Sequence, residues 1–396
     1  VAAQIPISED SALGDAHWFA GNILALETSC DETSAAVVAK DSVLANVVSS
    51  QAKLHEQWGG IVPEAAARAH VEALLPVIRR ALADAFGSDG REGLGMVDAI
   101  AVTNRPGLVG ALNVGLSCAK ALAAALEVPF VAIHHLEGHI LSVYAQLSRE
   151  HLPTPAFPHL CLIVSGGHTE LVQVEAPMRY RLLGQTLDDA AGEALDKGAR
   201  LLGLTPPTGR GVEIAAESGK PGRYTLPKAL PRDTRQFSFS GLKTALLRLV
   251  EREGQALNPH DAAHALQTAV FGSLRDKTVA VLEEGPTMGS PPESDAPRGR
   301  SRQAQRSAAR SFGSASGAGS ASRFQALTLV GGVAANRTLR EALRTACAQL
   351  GVPFFVPDGV LCTDNAAMIG IAASLRLKAG QRDTLDVDCW ANANLP

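Results

Sequence analysis

The sequence predicts an α/β protein of two lobes, built by internal duplication around a cleft. Three observations predict it. Residues 22–26 read as a strand, the polar run Glu27-Thr28-Ser29-Cys30-Asp31-Glu32-Thr33-Ser34 as a hairpin, and 35–39 as the returning strand. The same unit recurs at 160–164, Ser165-Gly166-Gly167-His168-Thr169-Glu170 and 171–174. Around both units, apolar strands alternate with stretches of helical periodicity, as in a sheet covered by helices.

Taken in order, residues 1–21 form a loose extension that carries acids but no Lys or Arg, unlike a secretory or transit leader. Residues 43–48 pair beside the first hairpin. Residues 63–86 are helical, with Pro63 and Glu64 at the start. A buried strand at 98–103 leads through Pro106-Gly107-Leu108-Val109-Gly110 into a small-residue helix, 111–126, and then a strand, 128–133. This closes an N-terminal lobe, 22–150, and leaves 151–396 for the second. There, 186–197 reads as a helix whose Asp188 and Asp189 suit a positive helix start, while Asp196 lies too far in for that. A helix covers 261–274, and strands cover 326–330 and 352–356. Residues 285–323 are rich in Ser, Gly, Pro, Ala and Arg without apolar periodicity and read as a disordered insertion. Its arginines suit RNA contact, but a solvated loop is the favoured explanation.

A chain of 396 residues buries enough surface for two lobes. Aromatics at 4% favour tight helix-on-sheet packing, and a net charge of −4 announces no nucleic-acid partner, which would need a local basic patch or a helper protein. The six cysteines are scattered, with no Cys-x-x-Cys pair, which fits a reducing compartment: the cytoplasm, or a mitochondrial matrix if a leader has been removed. No apolar run is long enough to span a membrane.

The chemistry concentrates in a few motifs. In His134-His135-Leu136-Glu137-Gly138-His139, His135 and His139 share one helix face and suit one metal ion. Spacing alone decides nothing, because His260 and His264 repeat it. The glycines and hydroxyls of Ser165–Thr169 suit an anion, or a plain hairpin turn. Gly331-Gly332-Val333-Ala334-Ala335-Asn336 follows a strand and opens a helix, where a nucleotide phosphate fits and an amide can meet a ribose or base edge. Asp364 is either a helix cap or a third, hard-oxygen ligand. Glu27, Asp31 and Glu32 crowd one turn, where they could hold a metal-bound water, repel a phosphate or supply a general base.

Together, these segments resemble the universal tRNA threonylcarbamoyladenosine transferase family in its bacterial or mitochondrial form. The matching pieces are the hairpin at 27–34, Gly59-Gly60-Ile61-Val62-Pro63-Glu64, 106–110, 135–139, 165–170, 188–197, Phe237-Ser238-Phe239-Ser240-Gly241-Leu242-Lys243, 331–336 and 363–365. They keep the family's order over 22–377, apart from the insertion. The resemblance implies a duplicated actin-like/Hsp70-like ATPase (ASKHA) fold with a nucleotide cleft. It implies transfer of a threonylcarbamoyl group from threonylcarbamoyl-adenylate to N6 of adenosine 37 in tRNAs reading codons that begin with A, with release of AMP.

By the same resemblance, His135, His139 and Asp364 are ligands of one divalent ion per subunit, Fe2+ or Zn2+. Ile163, Val164, Ser165, Gly166, Gly167, Asp196, Gly209, Glu213 and Asn336 are adenylate-binding positions. The implied partners are tRNA and either a dimerising paralogue with a small ATPase or a second copy of the chain, with no membrane. His260 and His264 match nothing in the family pattern. One departure stands out: the family's Tyr-Pro-Gly-Gly-Pro is here Pro206-Pro207-Thr208-Gly209-Arg210. Thr208 loses a glycine's access to positive φ, so either the loop shifts or Arg210 supplies a new phosphate contact.

In such a transfer N6 attacks the carbamoyl carbon and AMP leaves. Asp31 and Glu32 are the candidate catalytic bases, by location. A metallopeptidase is the first rival, but it needs Glu directly after the first His, where Leu136 stands. A small-molecule kinase of the same fold is the second. A non-catalytic scaffold has no reason to keep all three ligands.

Overall fold

Two five-stranded sheets flank a helical middle layer in the computed structural model, which describes residues 13–56, 58–88, 90–147, 152–228, 230, 234–287 and 323–396. The first sheet holds β1 (Asn22–Glu27), β2 (Glu32–Ala39), β3 (Ser42–Ser50), β4 (Ala99–Arg105) and β5 (Phe130–His134), in the order β3-β2-β1-β4-β5. The second holds β6 (His159–Val164), β7 (Thr169–Ala176), β8 (Arg179–Gln185), β9 (Leu327–Val330) and β10 (Phe354–Phe355), in the order β10-β9-β6-β7-β8. Position for position the sheets repeat one topology, an antiparallel hairpin beside parallel strands. The duplication read from the two hairpins is therefore complete.

Alternating side chains make five layers. In β1, Leu24 and Leu26 face the core under α2 (Pro63–Phe86) and α4 (Val109–Leu126), while Ile23 and Ala25 face the middle layer. In β6, Cys161 and Ile163 face the same middle layer from the other side, while Leu160, Leu162 and Val164 face the outer helices. Those are α6 (Ala191–Leu201), α7 (Gly209–Glu217), α8 (Ser240–Glu253), α9 (Pro259–Glu284) and α10 (Arg337–Leu350). The middle layer is α5 (His135–Leu141) and α12 (Ala366–Lys378), which follows the short α11 (Gly359–Cys362); two further short helices, α1 (Ala52–Glu56) and α3 (Gly90–Leu94), flank α2. Glycine lets these layers approach: a Cβ on Gly370 would meet Val38 at 2.6 Å, and one on Gly138 would meet Ile369 at 2.8 Å.

Several expectations need correction. Residues 13–21 are not loose: a short 3-10 turn at Asp15–His17 leads to Trp18, whose indole is 3% exposed against the α12 core. The chain after 365 crosses back from the second lobe to cover the first sheet, a return that a division at residue 150 does not contain. α4 is long and apolar enough to cross a membrane by composition, contrary to expectation, but its Ala111, Leu112, Gly115, Leu116, Ala119 and Ala123 are buried in this fold. β8 was not foreseen, because its Arg179-Tyr180-Arg181 run is half-exposed at a sheet edge. The strand at 352–356 shrinks to two residues. The insertion read at 285–323 lies almost entirely outside the described residues.

Candidate metal centre and the adjoining cleft

β5 ends at His134 and α5 begins at His135, so a buried strand delivers the first histidine to the cleft. All seven residues of α5 are buried, which fixes both rings. His135 and His139 stand 4.7 Å apart, ring centre to ring centre, at 88°. Asp364 Oδ1 lies 3.4 Å from His135 Nε2 and 3.1 Å from His139 Nε2. Asp364 is not a helix cap; Asn365 caps α12 by accepting from Met368 N, which leaves the Asp364 carboxylate for the cleft. The three donor atoms lie within 4.8 Å of one another, so the set fits one ion.

Glu27 completes the arrangement. Its Oε2 accepts from His135 Nδ1 at 3.1 Å and from Thr103 Oγ1 at 2.5 Å, and its Oε1 accepts from Ser29 N at 2.5 Å. A carboxylate on Nδ1 keeps a proton there and points Nε2 toward Asp364, as in carboxylate–histidine–metal triads. Burial opposes charge on His135, but the Asp364 and Glu27 carboxylates outweigh it and hold the imidazole at about 10. Burial likewise opposes ionised Asp364, yet the two histidines hold it well below the usual carboxylate range. Without metal, then, a proton on His135 offsets the carboxylates that a divalent ion would neutralise.

Asp31 and Glu32 sit at the mouth of the first hairpin. Burial pushes Glu32 up to about 7, with the Asp31 and Asp364 charges adding to it. Its Oε1 accepts from Ser50 Oγ at 2.8 Å, while Oε2 is buried with no partner among the described residues. Burial and the Asp364 charge raise Asp31 as well.

The second lobe brings its predicted residues to the ends of β6 and β9. Gly331, at φ +92, would place a Cβ 2.5 Å from Val164 O, so only glycine lets these strand ends meet. Gly166 and Gly167 front open space. Ser165 Oγ accepts from His168 N and Thr169 Oγ1 from Ala191 N, so both hydroxyls serve the local fold. Ile163 and Val164 are core side chains and offer the cleft only their backbone. Asp196 Oδ1 accepts from Gly209 N at 2.6 Å, and Glu213 Oε1 from Arg337 N at 2.9 Å. The Asn336 amide caps α10 through Leu339 N and donates to Gln267 Oε1 at 3.3 Å, so much of its capacity is structural.

Two worries from the sequence resolve. Thr208 has φ −136, ordinary extended backbone, so no glycine is needed there. Arg210 pairs with Glu213 Oε2 at 2.5 Å. Two readings are corrected. Asp188 and Asp189 precede α6 rather than open it. Asp188 instead accepts from Phe239 N, Ser240 N, Ser238 Oγ and Ser240 Oγ at the start of α8, and these bonds outweigh burial to hold it at about 2. His260 contacts Ala215 O and His264 contacts Thr268, and no metal-type cluster forms around them among the described residues. Glu137, one residue past the place a peptidase base would take, is buried against Arg376 at 2.6 Å and accepts from Tyr180 OH at 3.0 Å.

The class these features define is a duplicated, two-lobed α/β protein of the actin-like fold, with a His–His–Asp cluster between its lobes. A crystal structure of HypF from T. kodakarensis covers 91% of this chain and 48% of its own at a TM-score of 0.50 and 15% identity, which shows the shared fold alone. A profile of tRNA N6-adenosine threonylcarbamoyltransferase matches residues 42–371. The enzyme of that name from Thermomicrobium roseum is 45% identical over 94% of this chain and 96% of its own, and that from Brucella anthropi 46% identical over 92% of each. The chain belongs to the tRNA N6-adenosine threonylcarbamoyltransferase family.

Proposed function

We propose that this chain transfers a threonylcarbamoyl group from threonylcarbamoyl-adenylate to N6 of adenosine 37 in tRNAs reading codons that begin with A. The observation that carries the reading is the His135–His139–Asp364 donor set, oriented by Glu27, with Gly332 close to Thr363, the residue before Asp364. N6 is a weak nucleophile because its lone pair is delocalised, so positioning and charge stabilisation must supply most of the acceleration. The backbone at 165–167 and the α10 N-terminus hold the adenylate, with Asp196 and Glu213 as acceptors for its hydroxyls. His135, His139 and Asp364 would hold an Fe2+ or Zn2+ ion, which would supply Lewis acidity toward the acyl donor. N6 bonds to the carbamoyl carbon, the carbon–oxygen bond to phosphate breaks, and AMP takes the electron pair. Glu32 Oε2, with no partner among the described residues and a proton affinity near neutrality, takes the N6 proton.

With a net charge of −4, tRNA binding leans on a partner: a paralogue with a small ATPase, or a second copy of the chain. The test supplies threonine, bicarbonate, ATP, the adenylate-forming enzyme and unmodified tRNA, and reads the modified nucleoside by mass spectrometry. Absence of product, with and without partner proteins, overturns the proposal.

A further inference from the structure

Beyond α12 the chain forms neither helix nor strand, yet it is stitched to the first sheet. Asp383 N donates to Phe130 O at 2.8 Å and its Oδ2 accepts from Ala132 N at 2.9 Å, so it pairs with the open edge of β5. Farther on, Trp390 N donates to Asn104 O at 3.1 Å, Asn104 Nδ2 to Asp388 O at 2.9 Å, and Gly107 N to Ala391 O at 3.2 Å. The Arg105 guanidinium lies over the Trp390 ring at 5.7 Å. The tail thus crosses the C-terminal ends of β4 and β5, and β5 runs directly into α5.

Its last bond reaches His134. Nε2 donates to Ala393 O at 3.2 Å, while Nδ1 accepts from Leu136 N at 3.2 Å. These two bonds together require one neutral tautomer, with the proton on Nε2. His134 is fully buried and is the N-cap of α5, so its ring ties the tail to the first turn of the helix that carries both histidines. A seven-residue helix does not hold itself in water, so its orientation comes from such ties.

We infer that residues 388–393 are a strap that positions the metal helix through His134, and that His134 is a positioning residue for metal binding. The inference rests on reading His135, His139 and Asp364 as the metal centre. No strap residue is a ligand, and the coupling runs through the direction in which His135 points.

The test is Zn2+ affinity by chelator competition on the metal-stripped chain, with amide exchange of α5 read in parallel. Three variants separate the contributions. His134→Asn keeps a capping oxygen for Leu136 N but cannot reach Ala393. A chain ending at residue 387 removes the strap. Asn104→Ala removes the bond to Asp388 O, and since Asn104 Oδ1 has no partner among the described residues, that is the one side-chain bond lost there. The strap predicts about tenfold or greater loss of Zn2+ affinity in His134→Asn and in the shortened chain. Asn104→Ala shifts the same way, and all three speed exchange of the Leu136 amide. Wild-type affinity together with wild-type exchange in these proteins overturns the inference; if the shortened chain does not fold, Asn104→Ala decides. Failure of the unaltered chain to bind Zn2+ instead overturns the metal centre, and unchanged α5 exchange in Asn104→Ala then overturns the strap as well.

Discussion

At the scale of single residues, Glu27 and Glu32 are two carboxylates of one hairpin put to opposite uses by their neighbours. Glu27 is held below the usual range against burial by the His135 charge, and Glu32 is pushed up to about 7 by burial. Glu27→Gln is expected to weaken Zn2+ binding roughly 10–100-fold, measured by chelator competition, because an amide cannot hold the His135 Nδ1 proton as a carboxylate does. Glu32 makes a pH prediction. Its folded proton affinity lies above the unfolded value, so its contribution to stability is whole below the unfolded pKa of 4.5 and is lost as pH rises through about 7. Glu32→Gln should therefore gain thermal stability relative to the unaltered chain on going from about pH 5 to about pH 8. In the same window, transfer by the unaltered chain should rise through about pH 7, while the variant stays slow and flat. The His135/His139 pair was legible in the sequence, but nothing local separates it from His260/His264. What separates them is long-range: Asp364 is 225 residues from His139, and Glu27 is 108 from His135. The resemblance supplied Asp364; the orienting role of Glu27 needed the fold.

At the scale of elements, α5 is clamped on its far face by the buried Glu137–Arg376 pair, which links it to α12, and by Tyr180 of β8. Glu137→Ala leaves the Arg376 charge buried without its carboxylate, an expected loss of about 3–5 kcal/mol in denaturant unfolding. Gly370→Ala should cost about 1–3 kcal/mol, because its Cβ meets Val38 across the α12–β2 contact. Elements with buried periodic faces, such as α2 and the strands of the two hairpins, were legible because burial writes the period into the sequence. β8 was not, since a half-exposed edge strand has no such face. The start of α6 was misplaced for a related reason: Asp188 looks like a helix-start acid, and it is one, but for α8 across the loop.

At the scale of the whole molecule, the duplicated sheets were legible from two hairpin units, but the return of α12 was not. An Ala/Met/Ile helix declares that it is buried, not which sheet it lies on. That return places Asp364 beside α5 and so assembles the candidate metal centre from residues 225 apart in the chain. A ligand that binds only this assembled state stabilises all of it. Zn2+ at about a hundred times its Kd should add about 2.7 kcal/mol to unfolding, and a chelator should remove it. The proposed transfer through this centre is measured most directly by single-turnover transfer from threonylcarbamoyl-adenylate to unmodified tRNA, with partner proteins both present and absent. The prediction is a threonylcarbamoyl group on adenosine with the unaltered chain and none with Asp364→Ala. No product from the unaltered chain in either condition, or undiminished transfer by Asp364→Ala, would contradict it.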